Sequence, residues 1–194
     1  EVFVVEPEMT YPNALSRFVV TRSYLRWDED KGCRETYAEA VDRYVSFLER
    51  NRDVPAHILR DIRKGMLNMA TLPSMRGLWS AGKAAERDNT MIYNCSFIPM
   101  DNLRAFSEML YILMMGTGVG YSVEQEFVSN LPPVEERKGD AVPYVIDDST
   151  EGWADAVFEG LTLMWKGHTV EYDYSQIRPE GSRCKTKGGR ASGP

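Results

Sequence analysis

From residue 91 onward, short β-prone runs alternate with longer segments of helical period, and this alternation constrains the fold more than any other feature of the chain. "MIYNCSF" (91–97) reads as a strand. "LRAFSEMLYILMM" follows, with Leu103, Phe106, Leu110, Leu113 and Met114 on one helical face and Asp101 or Asn102 as its cap. The glycines of "GTGVG" stop that helix, "YSVEQEFV" reads as the next strand, and a Pro-rich turn leads into "AVPYVI". "DDST" then offers caps for a helix carrying Trp153, Val157, Leu161 and Trp165, and "TVEYDYSQI" is a last extended stretch before the tail. Strands joined through helices of this length need crossover connections, which predicts an α/β fold with a largely parallel sheet.

Ahead of that region the pattern is helical. "TYAEAVDRYVSFLERN" starts with Thr36 and Glu39 in capping-box spacing and sets Tyr37, Val41, Tyr44, Val45 and Leu48 on one stripe. "RDVPAHILRDIRKGMLNMA" offers Asp53 as cap and Pro55 near the first turn, with Ile58, Leu59, Ile62, Met66 and Met69 at helical spacing, so two antiparallel helices are expected. "ALSRFVVTRSYLRW" has no clean period and reads as a segment wrapped over the surface.

Composition narrows the function classes. The 194 residues are 43% hydrophobic and 11% aromatic, too apolar for intrinsic disorder and enough for one domain or part of a larger one. A net charge of −6 opposes a general electrostatic grip on nucleic acid, which needs clustered Lys and Arg. No run approaches the roughly 20 apolar residues of a membrane helix, and "EVFVVEPEMT" lacks the cationic lead-in of a secretory signal, so neither a membrane nor secretion is implied and a cytoplasmic location is expected. Cys33, Cys95 and Cys184 are widely spaced and odd in number, which fits reduced thiols; with only His57 and His168 besides, a zinc site is not expected.

Taken singly, the candidate motifs keep two readings each. "GTGVG" runs helix, glycines, strand, the reverse of a dinucleotide fingerprint, so it either stops a helix or lets backbone come close to a ligand. "GGRASGP" suits either an exposed tail or a loop folded around a phosphate or base. Cys95 on its own reads best as a small buried hydrophobe; a plain α/β domain with a core cysteine is compatible with composition.

In combination the motifs are more specific. "LPSMRGLW", "YNCSFIPMDNLRAFSEMLYILMMGTGVGYSVE" and "RPEGSRCKTKGGRASGP", in this order, resemble the large catalytic subunit of ribonucleotide reductases, most closely the adenosylcobalamin-dependent (class II) members of the monomeric type. The resemblance covers nearly the whole chain. It implies a helical segment over 1–70 and, over 71–194, the first half of a ten-stranded α/β barrel. It further implies that Cys95 is one of two redox thiols that reduce the substrate after a thiyl radical on another cysteine has removed the 3′ hydrogen. By motif position Ser74, Asn94, Thr117 and Gly118 line the substrate site. Asp101 and Asn102 begin a first loop for a deoxynucleoside triphosphate effector, and Gly188, Gly189, Arg190, Ala191 and Ser192 form a second that reports the effector's base to the substrate pocket. Implied partners are a ribonucleoside di- or triphosphate, that effector, the C-terminal remainder of the enzyme and a thioredoxin-like reductant; the implied cofactor is adenosylcobalamin, with the tyrosyl-radical or metal-cofactor class the nearest competitor. The family's radical-bearing cysteine, second redox cysteine and acid–base glutamate have no counterpart here, so the chain alone is expected to be inactive. Cys33 and Cys184 match no family role, and control by specificity alone, without an extra module for overall activity, is expected. The alternative is a non-catalytic deoxynucleotide-binding or scaffold subunit that pairs with a separate catalytic chain.

Overall fold

A computed structural model describes residues 11–28, 30–51, 53–184 and 189–194. The chain forms two compact units, Glu1–Tyr93 and Asn94–Pro194. The change of sequence texture at residue 71 falls inside the first of them.

In the first unit, the segment expected to wrap the surface forms helix α1 (Ala14–Ser23). Asn13 caps it, its Oδ1 accepting from the Ser16 amide at 2.8 Å. The helix escaped the periodicity because Leu15, Phe18 and Val19 face outward (69%, 57% and 41% exposed), and Val20 is its buried residue. Strands β1 (Trp27–Asp28) and β2 (Cys33–Arg34) make a small antiparallel hairpin. Helix α2 (Tyr37–Asn51) opens with the expected capping box: the Glu39 amide donates to Thr36 Oγ1 (3.2 Å) and the Thr36 amide to Glu39 Oε2 (2.7 Å). Helix α3 (Ala56–Leu67) starts after Pro55, which stands at the cap position in place of Asp53 and supplies fixed φ but no side-chain bond. Tyr37, Ala40 and Val41 of α2 pack with Met66, Leu78, Val20 and Leu25, and the Tyr37 hydroxyl donates to the Met66 carbonyl at 2.8 Å. Short helices α4 (Met75–Ser80) and α5 (Lys83–Arg87) and a 3₁₀ turn (Asn89–Ile92) complete the unit. That turn takes the first two residues, Met91 and Ile92, of the stretch expected to be a strand.

The second unit consists of two strand–helix–strand crossovers. Strand β3 (Cys95–Pro99), helix α6 (Leu103–Met114) and β4 (Gly118–Ser122) form the first, with β3 and β4 parallel. Strand β5 (Ala141–Val145), helix α8 (Thr150–Trp165) and β6 (Thr169–Asp173) form the second, again parallel. Asn102 and Ser149 are the observed caps, accepting from the amides of Ala105 (3.0 Å) and Gly152 (2.8 Å). "YSVEQEFV" is split: β4 ends at Ser122 and a single helical turn, α7 (Gln125–Val128), follows where a strand was expected.

Helices α6 and α8 meet through small side chains. Ala105 and Ser107 on one and Gly152, Ala154, Ala156 and Gly160 on the other are buried, and Ser107 Oγ donates to the Ala154 carbonyl at 2.6 Å. Trp153, Val157, Leu161 and Trp165, the apolar residues conspicuous in the sequence, are only half-buried. Two glycines on α8 are obligatory: a Cβ on Gly160 would stand 1.8 Å from the Tyr172 hydroxyl and one on Gly152 2.4 Å from the Asp147 carbonyl oxygen. Among the described residues no helix is long and apolar enough to cross a membrane.

Candidate functional site

Cys95 opens β3 and is exposed, not buried as its chemistry alone would suggest. The reason lies on the neighbouring strand. Parallel pairing sets Cys95 opposite Gly118, Phe97 opposite Gly120 and Pro99 opposite Ser122. Side chains alternate across a strand, so these six residues share one face, and the two places next to the sulfur on β4 carry no side chain. The result is an open ledge bordered by the thiol and by Phe97, itself 64% exposed.

Neither glycine needs a left-handed backbone. A Cβ at Gly118 would meet only the Asn94 carbonyl oxygen, at 3.5 Å, and one at Gly120 only the Phe97 ring edge (3.7 Å) and the Ser96 carbonyl (3.8 Å), all ordinary contacts. Gly116 differs: its φ of 86° sits where α6 ends, so this first glycine of "GTGVG" is the helix stop while the other two belong to the strand. The helix-stop reading of the motif therefore holds for Gly116, while Gly118 and Gly120 are strand residues.

The other candidates are placed as follows. Asn94 is exposed, and its carbonyl accepts from the Gly118 amide at 2.9 Å. That amide is engaged, so Gly118 offers a ligand close approach and not a free donor. Thr117 is 1% exposed, with its amide bonded to the Ile112 carbonyl at 3.2 Å. Ser74 belongs to the first unit, where it is the cap of α4, its Oγ accepting from the Gly77 amide at 3.0 Å; the hydroxyl proton remains to be donated. Asp101 is half-buried and accepts from Asn102 Nδ2 at 2.6 Å, while Asn102 Oδ1 holds the start of α6.

The tail is more ordered than an exposed coil. Gly189, Arg190, Ala191 and Ser192 fold back along residues 181–184: the Ala191 amide donates to the Ser182 carbonyl (2.7 Å), the Gly181 amide to the Ala191 carbonyl (2.9 Å) and the Cys184 amide to the Gly189 carbonyl (3.1 Å). Arg190 Nη1 donates to the Gly181 carbonyl at 2.8 Å. Gly188 lies outside the described residues. The base of this hairpin is tied by Arg178, whose Nε reaches both Asp148 carboxylate oxygens (2.9 and 2.7 Å) and whose Nη1 reaches the Arg183 carbonyl. Asp148 is one of the letters of "DDST" that looked only like a cap, and a pair 30 residues apart leaves no local signal. Gly120 was also overlooked, although the alternation in "GVG" carried the information.

Comparison with known proteins follows the same line. No protein-family model matches the sequence. The chain is 29% identical over 209 residues to an adenosylcobalamin-dependent ribonucleoside-triphosphate reductase of Euglena gracilis, covering 94% of this chain and 28% of the relative. It is 28% identical to a putative enzyme of the same name from Mycobacterium phage D29 (91% and 30% covered) and 25% identical to the Lactobacillus leichmannii reductase (89% and 33%). The chain thus spans about a third of the length of the curated relatives it matches. Its fold is that of a solved B12-dependent (class II) ribonucleotide reductase, with a TM-score of 0.67 over 92% of this chain and 34% of that one, at 22% identity.

Proposed function

We propose, starting from the chain's homology to part of the adenosylcobalamin-dependent ribonucleotide reductases, that it is an incomplete piece of a ribonucleotide-reducing enzyme in which Cys95 is one of the two redox thiols. The observation that carries the reading is the ledge on which an exposed Cys95 stands beside Gly118 and Gly120. A sugar approaching that face meets sulfur and the bare backbone of Gly118 and Gly120, with the Phe97 ring at its border. The matched relatives are reductases, which favours this over the scaffold alternative.

In the proposed reaction a thiyl radical on a cysteine outside this chain removes the 3′ hydrogen of the ribonucleotide, and the 2′ hydroxyl leaves as water. Cys95 and a second cysteine then supply two electrons and close a disulfide, which an external thioredoxin-like dithiol reopens, so each turnover converts ribonucleotide and dithiol into deoxyribonucleotide, disulfide and water. A thiol placed under the ribose can also protonate the departing hydroxyl. Ser74, Asn94, Thr117 and Gly118 are carried over as substrate-lining positions, Ser74 through its hydroxyl proton, Asn94 through its amide and Gly118 through close approach. Asp101 and Asn102, and Gly188 to Ser192, are carried over as the two loops that answer to a deoxynucleoside triphosphate. Residues 71–194 are read as the first half of the barrel and 1–70 as the helical segment before it, in a cytoplasmic enzyme.

Adenosylcobalamin would supply the oxidising equivalent that makes the thiyl radical. The groove described within the second unit, between α6 and α8, holds about 340 Å³ and is lined by Arg104, Glu108, Glu151 and Asp155 among others. It does not fit a group of corrin size, so no residue of this chain is assigned to the cofactor. The test is Cys95→Ser in the intact protein: deoxyribonucleotide formation is expected to fall by at least about 10³-fold, as when a residue acting directly in the chemistry is removed, with nucleotide binding retained. Full turnover by the serine variant overturns the redox assignment.

A further inference from the structure

The last turn of α4 is held from outside the helix by two arginines that the proposed chemistry does not use. Arg43, on α2, donates from Nη1 to the carbonyls of Leu78 (2.7 Å) and Ala81 (3.0 Å). Its Nε and Nη2 grip the two oxygens of Glu35 at 3.0 and 2.6 Å. Arg26 donates from Nε to the Trp79 carbonyl at 2.6 Å, its Nη2 reaches the same oxygen, and its guanidinium lies 5.8 Å from the Trp79 ring centroid. Glu35 closes the cluster by accepting from the Arg26 amide at 3.0 Å. The Arg43 and Glu35 side chains are only 17% and 11% exposed.

This is an uncommon concentration of donors for six residues of helix. A helix so short cannot maintain itself, because its few internal bonds do not offset the cost of nucleation. Its carbonyl end attracts cations, and here the cations are planar forks that take three consecutive-turn carbonyls, of Leu78, Trp79 and Ala81. The arrangement costs charge separation: burial, then the Arg43 charge, lowers the Arg26 pKa to about 10, with Glu35 opposing. Leu78 already anchors the helix in the core, and two shielded guanidinium groups hold its carbonyl end in addition. At the other end of the same helix stands Ser74, exposed, its oxygen fixed by the Gly77 amide.

We infer that Arg43, with Glu35 and Arg26, is a positioning residue that fixes the carbonyl end of α4 so that Ser74, at its start, presents its hydroxyl to the substrate in one orientation. The inference rests on the reading of Ser74 as a substrate contact. Leu78 and Ala81 lie 35 and 38 residues from Arg43, so the arginine ties α4 to α2 through main-chain acceptors, beside the packing of Leu78 and Ala81 side chains on α2.

The test uses the intact protein with Arg43→Lys, Ser74→Ala and the double variant, and reads KM, kcat and amide hydrogen exchange over residues 77–81. Lysine keeps the charge but cannot grip Glu35 and two carbonyls together. Arg43→Lys is expected to speed exchange at those amides and to raise KM about tenfold, the equivalent of one lost charge-assisted hydrogen bond, with kcat within about twofold. The double variant should be no worse than Ser74→Ala, because both changes remove one interaction. Effects that multiply overturn the inference, since Arg43 would then act elsewhere. Unchanged exchange in Arg43→Lys overturns the clamp while leaving the Ser74 reading intact, and an unchanged KM in Ser74→Ala overturns that reading and the inference with it. Should Arg43→Lys fail to fold, Arg26→Lys, which loosens only the Trp79 carbonyl, is held to the same pattern.

Discussion

Replacing Gly118 with alanine separates what the glycine does for folding from what it does for a ligand. Its backbone is not left-handed, and a Cβ would touch only the Asn94 carbonyl oxygen at the ordinary distance of 3.5 Å. The folded chain therefore accepts the methyl without strain, and the unfolded chain loses freedom, so stability should rise by about 0.4–1 kcal/mol. The methyl would stand on the face that carries Cys95, directly opposite it in register and about 4.8 Å away across the strand pair. A sugar seated against the thiol must then be lifted or compressed. Forcing one extra methyl into a packed contact costs about 1–3 kcal/mol, which converts to roughly a 5- to 150-fold loss of affinity. The assay is KM for the ribonucleotide in the intact protein, beside hydrogen exchange of the β3 and β4 amides. Slower exchange with a raised KM is the expected pair of results. A KM within twofold of the parent would show that nothing rests on the ledge; faster exchange would show that glycine is there for strand geometry.

Two further substitutions test the packing that supports the site. Tyr37 is 1% exposed, and burial chiefly, with Tyr24 adding, pushes its phenol up to about 12 from 10, so its contribution is complete below pH 10 and lost as pH rises to about 12. The shift is worth about 2–3 kcal/mol; Tyr37→Phe should remove that alkaline step and cost about 1 kcal/mol at neutral pH for the stranded Met66 carbonyl, and urea unfolding with the same alkaline slope in both proteins would contradict the assignment. Gly160→Ala drives a methyl into the Tyr172 hydroxyl and threatens its 3.1 Å bond to the Ala156 carbonyl. Overpacking of about 1–3 kcal/mol less the helix-propensity gain of about 1 kcal/mol leaves a net loss of up to about 2 kcal/mol, turned into a gain by Tyr172→Val in the same chain, and a Gly160→Ala protein stabilised by the full propensity gain would refute the α8–β6 contact.

What was legible in the sequence is what is decided within a few residues. The Thr36–Glu39 box, the Asn102 and Ser149 caps and the parallel crossovers all follow from side chains that bond a backbone three residues away or from periods inside one element. Helix α1 escapes the pattern because its apolar residues face outward, and the expected strand starts four residues before β3 because "MIYN" is as β-prone as "CSFIP", yet Met91 and Ile92 end a 3₁₀ turn closed by the Tyr93 amide on the Thr90 carbonyl.

The candidate site was harder to read for a different reason. The exposure of Cys95 depends on missing side chains at Gly118 and Gly120, 23 and 25 positions on, and the hold on α4 depends on carbonyls at 78, 79 and 81 that any residue could supply. A backbone oxygen and an absent Cβ leave no letter that distinguishes them. This is why the resemblance of whole motifs could point to a chemistry that the individual residues could not. It also follows that side-chain removal alone will miss this part of the site. Adding a methyl at Gly118 and blunting the fork at Arg43 probe the backbone terms directly, and the reading of both ends of the chemistry stands or falls on those two additions to and subtractions from main-chain contact.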